Sequence, residues 1–258
     1  MIKPTKEIID FHMHPFLSME ENSANVYNPV SGFDDILPDM ERAGISLFVG
    51  SVIKRGLGEN WHEIKRMNDH ALEIQKRLPG KYIPGFHIHP DFPRESCEEI
   101  ERMHALGVNL IGELVPYMMG WHGYTSPGCI EIFTLAQELG MVVNAHPSDD
   151  EDMDRFARLF PKLTIVYAHP GNFDVCIRNA QRLREFDNVF LDICGTGLFR
   201  YGILRYLIDQ AGKEKLLFGT DYPICNPLMQ VAGVEYEKLS DDEREHIYRK
   251  NAKRLLKL

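Results

Sequence analysis

His12 and His14 stand one residue apart at the end of the apolar run Ile8-Ile9-Asp10-Phe11. Side chains alternate faces along a strand, so the two imidazoles project the same way. Neutral imidazoles side by side make a metal-binding pair suited to zinc and similar divalent ions. Four later segments also run apolar and then present an ionisable residue: Leu110-Ile111-Gly112-Glu113, Val142-Val143-Asn144-Ala145-His146, Val166-Tyr167-Ala168-His169 and Leu217-Phe218-Gly219-Thr220-Asp221. A lone buried histidine is ordinarily a hydrogen-bonded core residue, and a lone buried aspartate is paired or capping. Four histidines, a glutamate and an aspartate gathered at one place are another matter, because burying them without a cation is costly. The chemistry on offer is that of a bound divalent ion. Such an ion brings the pKa of its water from about 16 toward about 7 and polarises a carbonyl or phosphoryl oxygen.

These residues meet only if the elements carrying them converge. Short apolar runs at 8–14, 45–53, 82–89, 108–115, 141–146, 163–169, 189–194 and 216–221 read as eight strands. Between them, helical periodicity falls at 33–43, 61–78, 95–106, 130–139, 149–160, 174–186, 201–211 and 241–256. Gly44, Gly107, Gly140 and Gly212 sit just past helical runs, and Ser240 before Asp241-Asp242-Glu243 reads as an N-cap with a capping box. Eight strand–helix repeats predict an α/β fold, a single (β/α)8 TIM barrel with 1–258 as one domain. An open doubly wound sheet usually has fewer strands, and neither G-x-G-x-x-G nor a phosphate loop supports one here. In a barrel the long loops at 15–32 and 116–127 lie on the C-terminal face, where the six strand-end residues also belong.

Composition narrows the partners. Of 258 residues, 44% are hydrophobic and 26% charged, ordinary values for a globular protein. The net charge is -9 and the basic residues are scattered, which argues against nucleic acid. No apolar run is long enough for a membrane span, and the first residues lack a signal-peptide core. Five cysteines without a C-x-x-C pair suggest reduced thiols, hence the cytoplasm. A small-molecule substrate is the expected partner, with a homodimer compatible with everything above.

The chain resembles the amidohydrolase superfamily, in its amidohydrolase-related branch. His12-x-His14 matches the strand-one motif, His146 and His169 match the histidines of strands five and six, and Asp221 in Gly219-Thr220-Asp221-Tyr222-Pro223 matches the strand-eight aspartate. Asn188-Val189-Phe190-Leu191-Asp192-Ile193 and Asn251-Ala252-Lys253-Arg254-Leu255-Leu256 also resemble that branch. The resemblance implies that His12, His14, His146 and Asp221 ligate a divalent metal, zinc first among candidates, as one ion or two. It makes His169 a second-metal ligand or a proton-transfer group. Glu113 resembles the strand-four carboxylate that bridges two metals in deoxyribonuclease-like hydrolases of the superfamily.

The expected reaction is therefore hydrolysis of a small organic substrate by metal-bound hydroxide, with Asp221 as proton shuttle and His169 assisting. The alternatives are a metal-dependent decarboxylase of an aromatic or unsaturated acid and a non-catalytic metal-binding barrel. No G-x-S-x-G elbow supports a serine hydrolase. His89, Tyr117, Trp121, His122 and Arg200 are the expected substrate contacts. Among them, Arg200 offers a bidentate fork for a carboxylate, and Cys194 and Cys225 read as small apolar fillers.

Overall fold

Each apolar run becomes a parallel strand because both its faces are covered, one by the barrel interior and one by helices. The computed structural model describes residues 7–22, 32–54, 56 and 60–258. Its strands are β1 (Ile8–Met13), β2 (Ile45–Gly50), β3 (Tyr82–Phe86), β4 (Leu110–Leu114), β5 (Val142–Ala145), β6 (Thr164–Tyr167), β7 (Val189–Asp192) and β8 (Leu216–Leu217). They pair in sequence order, every pair parallel. The β8–β1 seam is laced by backbone bonds. Phe11 N donates to Phe218 O, Thr220 N and Asp221 N to His12 O, and His14 N to Tyr222 O. The result is the (β/α)8 barrel that the repeat spacing predicts.

The helices α1 (Ile36–Ala43), α2 (Trp61–Arg77), α3 (Pro93–Ala105), α4 (Pro127–Glu138), α5 (Asp150–Leu159), α6 (Phe173–Glu185), α7 (Ile203–Ala211) and α8 (Pro227–Tyr236) follow the strands in turn. A last helical stretch runs from Asp241 to Leu256 with a π-helical segment at His246–Lys250. It opens with the expected capping box: Ser240 Oγ accepts from Glu243 N, and Glu243 Oε2 accepts from Ser240 N. Helix α8 escapes a reading by periodicity because its apolar residues surround it, leaving Leu228, Met229 and Tyr236 exposed. Its start is legible all the same: Asn226 caps it, accepting from Leu228 N and Met229 N, with Pro227 at the first helical position. The last strand is shorter than the 216–221 run: Phe218 N donates to Ile247 O of the last helical stretch rather than to a strand. Of the loop at 15–32, residues 23–31 lie outside the described set.

Ile9, Phe11, Val49, Leu110, Val142, Val166, Phe190 and Leu217 fill the barrel interior, with Ala252 and Leu256 of the last helix packed against them. The alternating residues Ile8, Ile111, Val143, Ile165, Leu191 and Leu216 belong to the other cluster, beneath the helices. Simple alternation then carries Asn144, Asp192 and Asp221 inward on β5, β7 and β8. His12 and Glu113 have the opposite parity to Phe11 and Leu110. Register irregularities between Asp10 and Met13, and between Ile111 and Leu114, accompany the change of face. On β6 the change comes at His169 itself, with φ 67°. Three devices thus bring residues of both parities to the same end of the barrel.

Candidate metal centre

At the C-terminal end of the barrel two ligand triads stand side by side. His12, His14 and Asp221 offer atoms within 4.8 Å of one another, and so do Glu113, His146 and His169. His12 Nε2 and His14 Nε2 face each other at 3.2 Å. Asp221 Oδ1 lies 3.8 and 3.5 Å from them. Glu113 stands between the triads. Its Oε2 is 3.2 Å from both His12 Nε2 and His14 Nε2, while its Oε1 is 2.8 Å from His146 Nδ1 and 3.4 Å from His169 Nε2.

The outer nitrogens show how this set fits a cation. His12 Nδ1 lies 2.9 Å from Asp192 Oδ2, and His14 Nδ1 lies 3.1 Å from Ser51 O. Both partners accept, so each neutral ring carries its proton on Nδ1 and turns a bare Nε2 inward. Two lone pairs and two carboxylates then point at one another with no donor among them. A divalent ion satisfies that arrangement.

Protons compete for the same nitrogens. Burial pushes the pKa of His12 down, but Asp192 and Glu113 outweigh it and raise it well above the usual value. For His14, burial is likewise outweighed by Asp221 and Glu113, and the pKa rises to about 9. Glu113 is held well below its usual range despite burial, chiefly by His12. Metal uptake at neutral pH is therefore expected to release protons, and apparent affinity to increase as pH rises through the His14 pKa of about 9. Calorimetric titration with manganese(II) in buffers of different ionisation enthalpy counts those protons; a count of zero at pH 7 contradicts the assignment.

Glycine is required where β7 ends. A Cβ on Gly195, which has φ 61°, would meet His169 Nδ1 at 2.5 Å and Asp221 Oδ2 at 3.0 Å. The His169 ring is held by Cys194, whose carbonyl oxygen and Sγ are each 3.3 Å from Nδ1. Burial raises the Cys194 pKa well above its usual value, so it is a neutral thiol.

The expected substrate contacts separate. Tyr117 is 64% exposed and meets the His146 ring edge-on at 5.4 Å, at the open side of the cluster. His122 is exposed. Arg200 donates to Gly171 O, two residues beyond His169, and lies over the Phe199 ring. His89 and Trp121 are both buried. His89 Nε2 faces Met119 O and its Nδ1 accepts from Asp91 N, so the ring has no nitrogen left for a substrate. Trp121 packs on His89 and Tyr124. The second His-x-His, His87 and His89, belongs to none of the candidate ligand groups among the described residues, and His87 Nε2 is bonded to Val52 O. Four residues without an expected role hold the site together. Asp192 and Asn144 stand behind His12. Asp10 accepts from His12 N, Thr220 N and Thr220 Oγ1. Asp192 was within reach of the sequence, since it ends the apolar run Val189-Phe190-Leu191 as the ligands end theirs.

The sequence pattern of the amidohydrolase family matches residues 9–258. The chain belongs to the amidohydrolase family. One curated relative, the 2-amino-3-carboxymuconate-6-semialdehyde decarboxylase of Caenorhabditis elegans, is 33% identical over a stretch covering 38% of this chain and 29% of the relative. Among solved structures, a 2,6-dihydroxybenzoate decarboxylase complexed with 2,6-dihydroxybenzoate superposes with a TM-score of 0.75 at 17% identity, covering 98% of this chain and 99% of that one. A dihydroxybenzoic acid decarboxylase from Polaromonas sp. JS666, with bound manganese and the inhibitor 2-nitroresorcinol, gives 0.74 at 17% identity, covering 98% and 97%.

These comparisons correct the expectation of hydrolysis, because all three proteins are decarboxylases. The physical reason is that a ligand set fixes a cation and not the bond it acts upon. Family and clusters together support a metal-dependent enzyme, whereas zinc is not singled out, the Polaromonas protein holding manganese. Among the described residues no helix is long and apolar enough to cross a membrane.

Proposed function

We propose that this amidohydrolase-family member is a metal-dependent decarboxylase, a lyase, acting on an aromatic or unsaturated carboxylic acid. The observation that carries the reading is the 33% identity to a decarboxylase of an unsaturated acid. The dihydroxybenzoate decarboxylases of like fold support it. In this reading His12, His14 and Asp221 hold a divalent cation, with Glu113 and His146 beside them. The bound cation supplies a positive charge that fixes the acid and draws electron density from it.

His169 is the proton donor. Its Nδ1 is anchored on Cys194, its Nε2 faces the cluster, and Glu113 raises its pKa although burial acts the other way. It delivers its proton to the carbon bearing the carboxylate. The carbon–carbon bond then breaks, its electron pair returns to the unsaturated system, and carbon dioxide leaves. Asp221, as a ligand, needs no shuttle role. Tyr117 and Arg200 remain the candidates for contact with the acid.

The test is carbon dioxide release from a panel of hydroxybenzoic and unsaturated dicarboxylic acids. The expected result is release with equimolar decarboxylated product, lost on chelation and restored by manganese(II) or zinc. Ester or lactone hydrolysis without carbon dioxide from any acid contradicts the reading.

A second reading of the same centre rests on the two oxygens of Glu113, each turned to a different histidine pair. That arrangement suits a carboxylate bridging two ions, and His169 is then a ligand, unable to donate a proton. Metal analysis separates the two. About one equivalent fits His169 as the acid, and about two fit the bridge. In the second case Glu113→Gln is expected to lower the content from about two toward about one.

A further inference from the structure

Asp192 carries no role in the proposed chemistry, yet it has more partners around the metal centre than any ligand's outer face requires. It is fully buried at the end of β7. Its Oδ2 lies 2.9 Å from His12 Nδ1 and accepts from Asn144 Nδ2, also at 2.9 Å. Its Oδ1 accepts from the backbone N–H groups of His169 and Cys194, each at 3.3 Å. Four donors on one carboxylate leave it no free lone pair directed at a cation, so it is not a ligand in its own right.

We propose that Asp192 is the positioning residue of the centre, fixing His12 in the tautomer that presents a bare Nε2 to the cation and tying that choice to the backbone that carries His169. The inference rests on the metal-centre reading above. The mechanism follows from which atoms can donate. Oδ1 faces two backbone N–H groups, and these demand an acceptor. Oδ2 faces His12 Nδ1 and an amide NH2 group; an acceptor there makes His12 Nδ1 the protonated nitrogen. Asn144 secures the carboxylate in this pose, because its Nδ2 also donates to Val166 O at 3.1 Å and is itself held. A carboxylate therefore supplies what no other side chain of its size can: two acceptor edges, one for the backbone and one for the ring.

Asp192→Asn makes the prediction sharp. The two backbone donors hold the new amide oxygen on the Oδ1 side. Its NH2 group then faces His12 Nδ1, which must become the acceptor, and the ring proton moves to Nε2, where the cation belongs. The size of the side chain is unchanged, and the backbone bonds at His169 and Cys194 are kept.

The experiment measures the dissociation constant for manganese(II) alone, by counting free ion in the protein solution, for wild type, Asp192→Asn and Asn144→Ala. Thermal unfolding of the metal-free proteins accompanies it. Expected is a weakening of roughly 10–100-fold in Asp192→Asn, the scale of losing an outer partner of a metal-bound histidine. Asn144→Ala, which frees the carboxylate without removing it, is expected to weaken binding by a smaller factor in the same direction; it also carries the test if Asp192→Asn does not fold. A lowered unfolding midpoint with unchanged manganese affinity means that Asp192 serves only the fold and overturns the inference. Failure of wild type to bind manganese or zinc overturns the metal-centre reading instead, so the two failures are distinct.

Discussion

A His169→Asn variant is expected to take up metal normally and to lose roughly a hundredfold to ten-thousandfold in carbon dioxide release, the span ordinarily lost with a positioned proton donor. Asparagine suits the site because His169 has φ 67°, and Asn is among the residues that tolerate this left-handed region. The fold should therefore survive. Wild-type activity should also fall as pH rises through the His169 pKa, since the cationic ring is the donor. Burial lowers that pKa and Glu113 more than restores it, placing the fall above the usual histidine range. Carbon dioxide release and metal content, measured on one preparation, check both statements. Loss of metal together with activity assigns His169 to the ligands, and full activity removes it from the chemistry.

Asp221→Asn should do the opposite: the variant folds and the metal goes. The backbone at Asp221 is fixed by donation from its own N–H to His12 O, which the substitution leaves alone, and φ 60° again suits Asn. What disappears is the negative charge 3.5–3.8 Å from two bare imidazole nitrogens. A loss of at least about a hundredfold in manganese affinity is expected, since even an outer partner can cost that much. Activity should return in part at high metal concentration, which a variant damaged in the chemical step would not show. Metal affinity equal to wild type would take Asp221 out of the ligand set.

The eight strands were legible because each is an apolar run bounded by turn residues, and the strand-end histidines were legible because period two is a local property. His12 shows where that stops. It shares a face with His14, as local alternation requires, but not the parity of Ile9 and Phe11, which fill the interior below it. The register irregularity between Asp10 and Met13 is set by pairing with β2 and leaves no mark on β1 alone. Asp192 was legible as a strand-end carboxylate, but its partner was not, since His12 is 180 residues away. The surroundings of His89 were not legible because they depend on the 116–127 loop, where Met119 O faces the imidazole. The reaction was the least legible feature. Lone pairs that hold a cation look the same whether the bond broken is carbon–carbon or carbon–oxygen.

The seam at which the barrel closes has a consequence for how metal and fold depend on each other. Asp10 binds Thr220 across 210 residues of sequence, and the first triad takes two ligands from one side of that seam and one from the other. A cation held there is a clasp joining the first strand of the barrel to the turn after the last. An open seam loses Asp221 from the set and leaves His12 and His14 with Glu113, so the closed barrel holds the ion more tightly. Metal should therefore raise the unfolding temperature as its concentration increases. Loading the site then guards the joint between the first strand and the last.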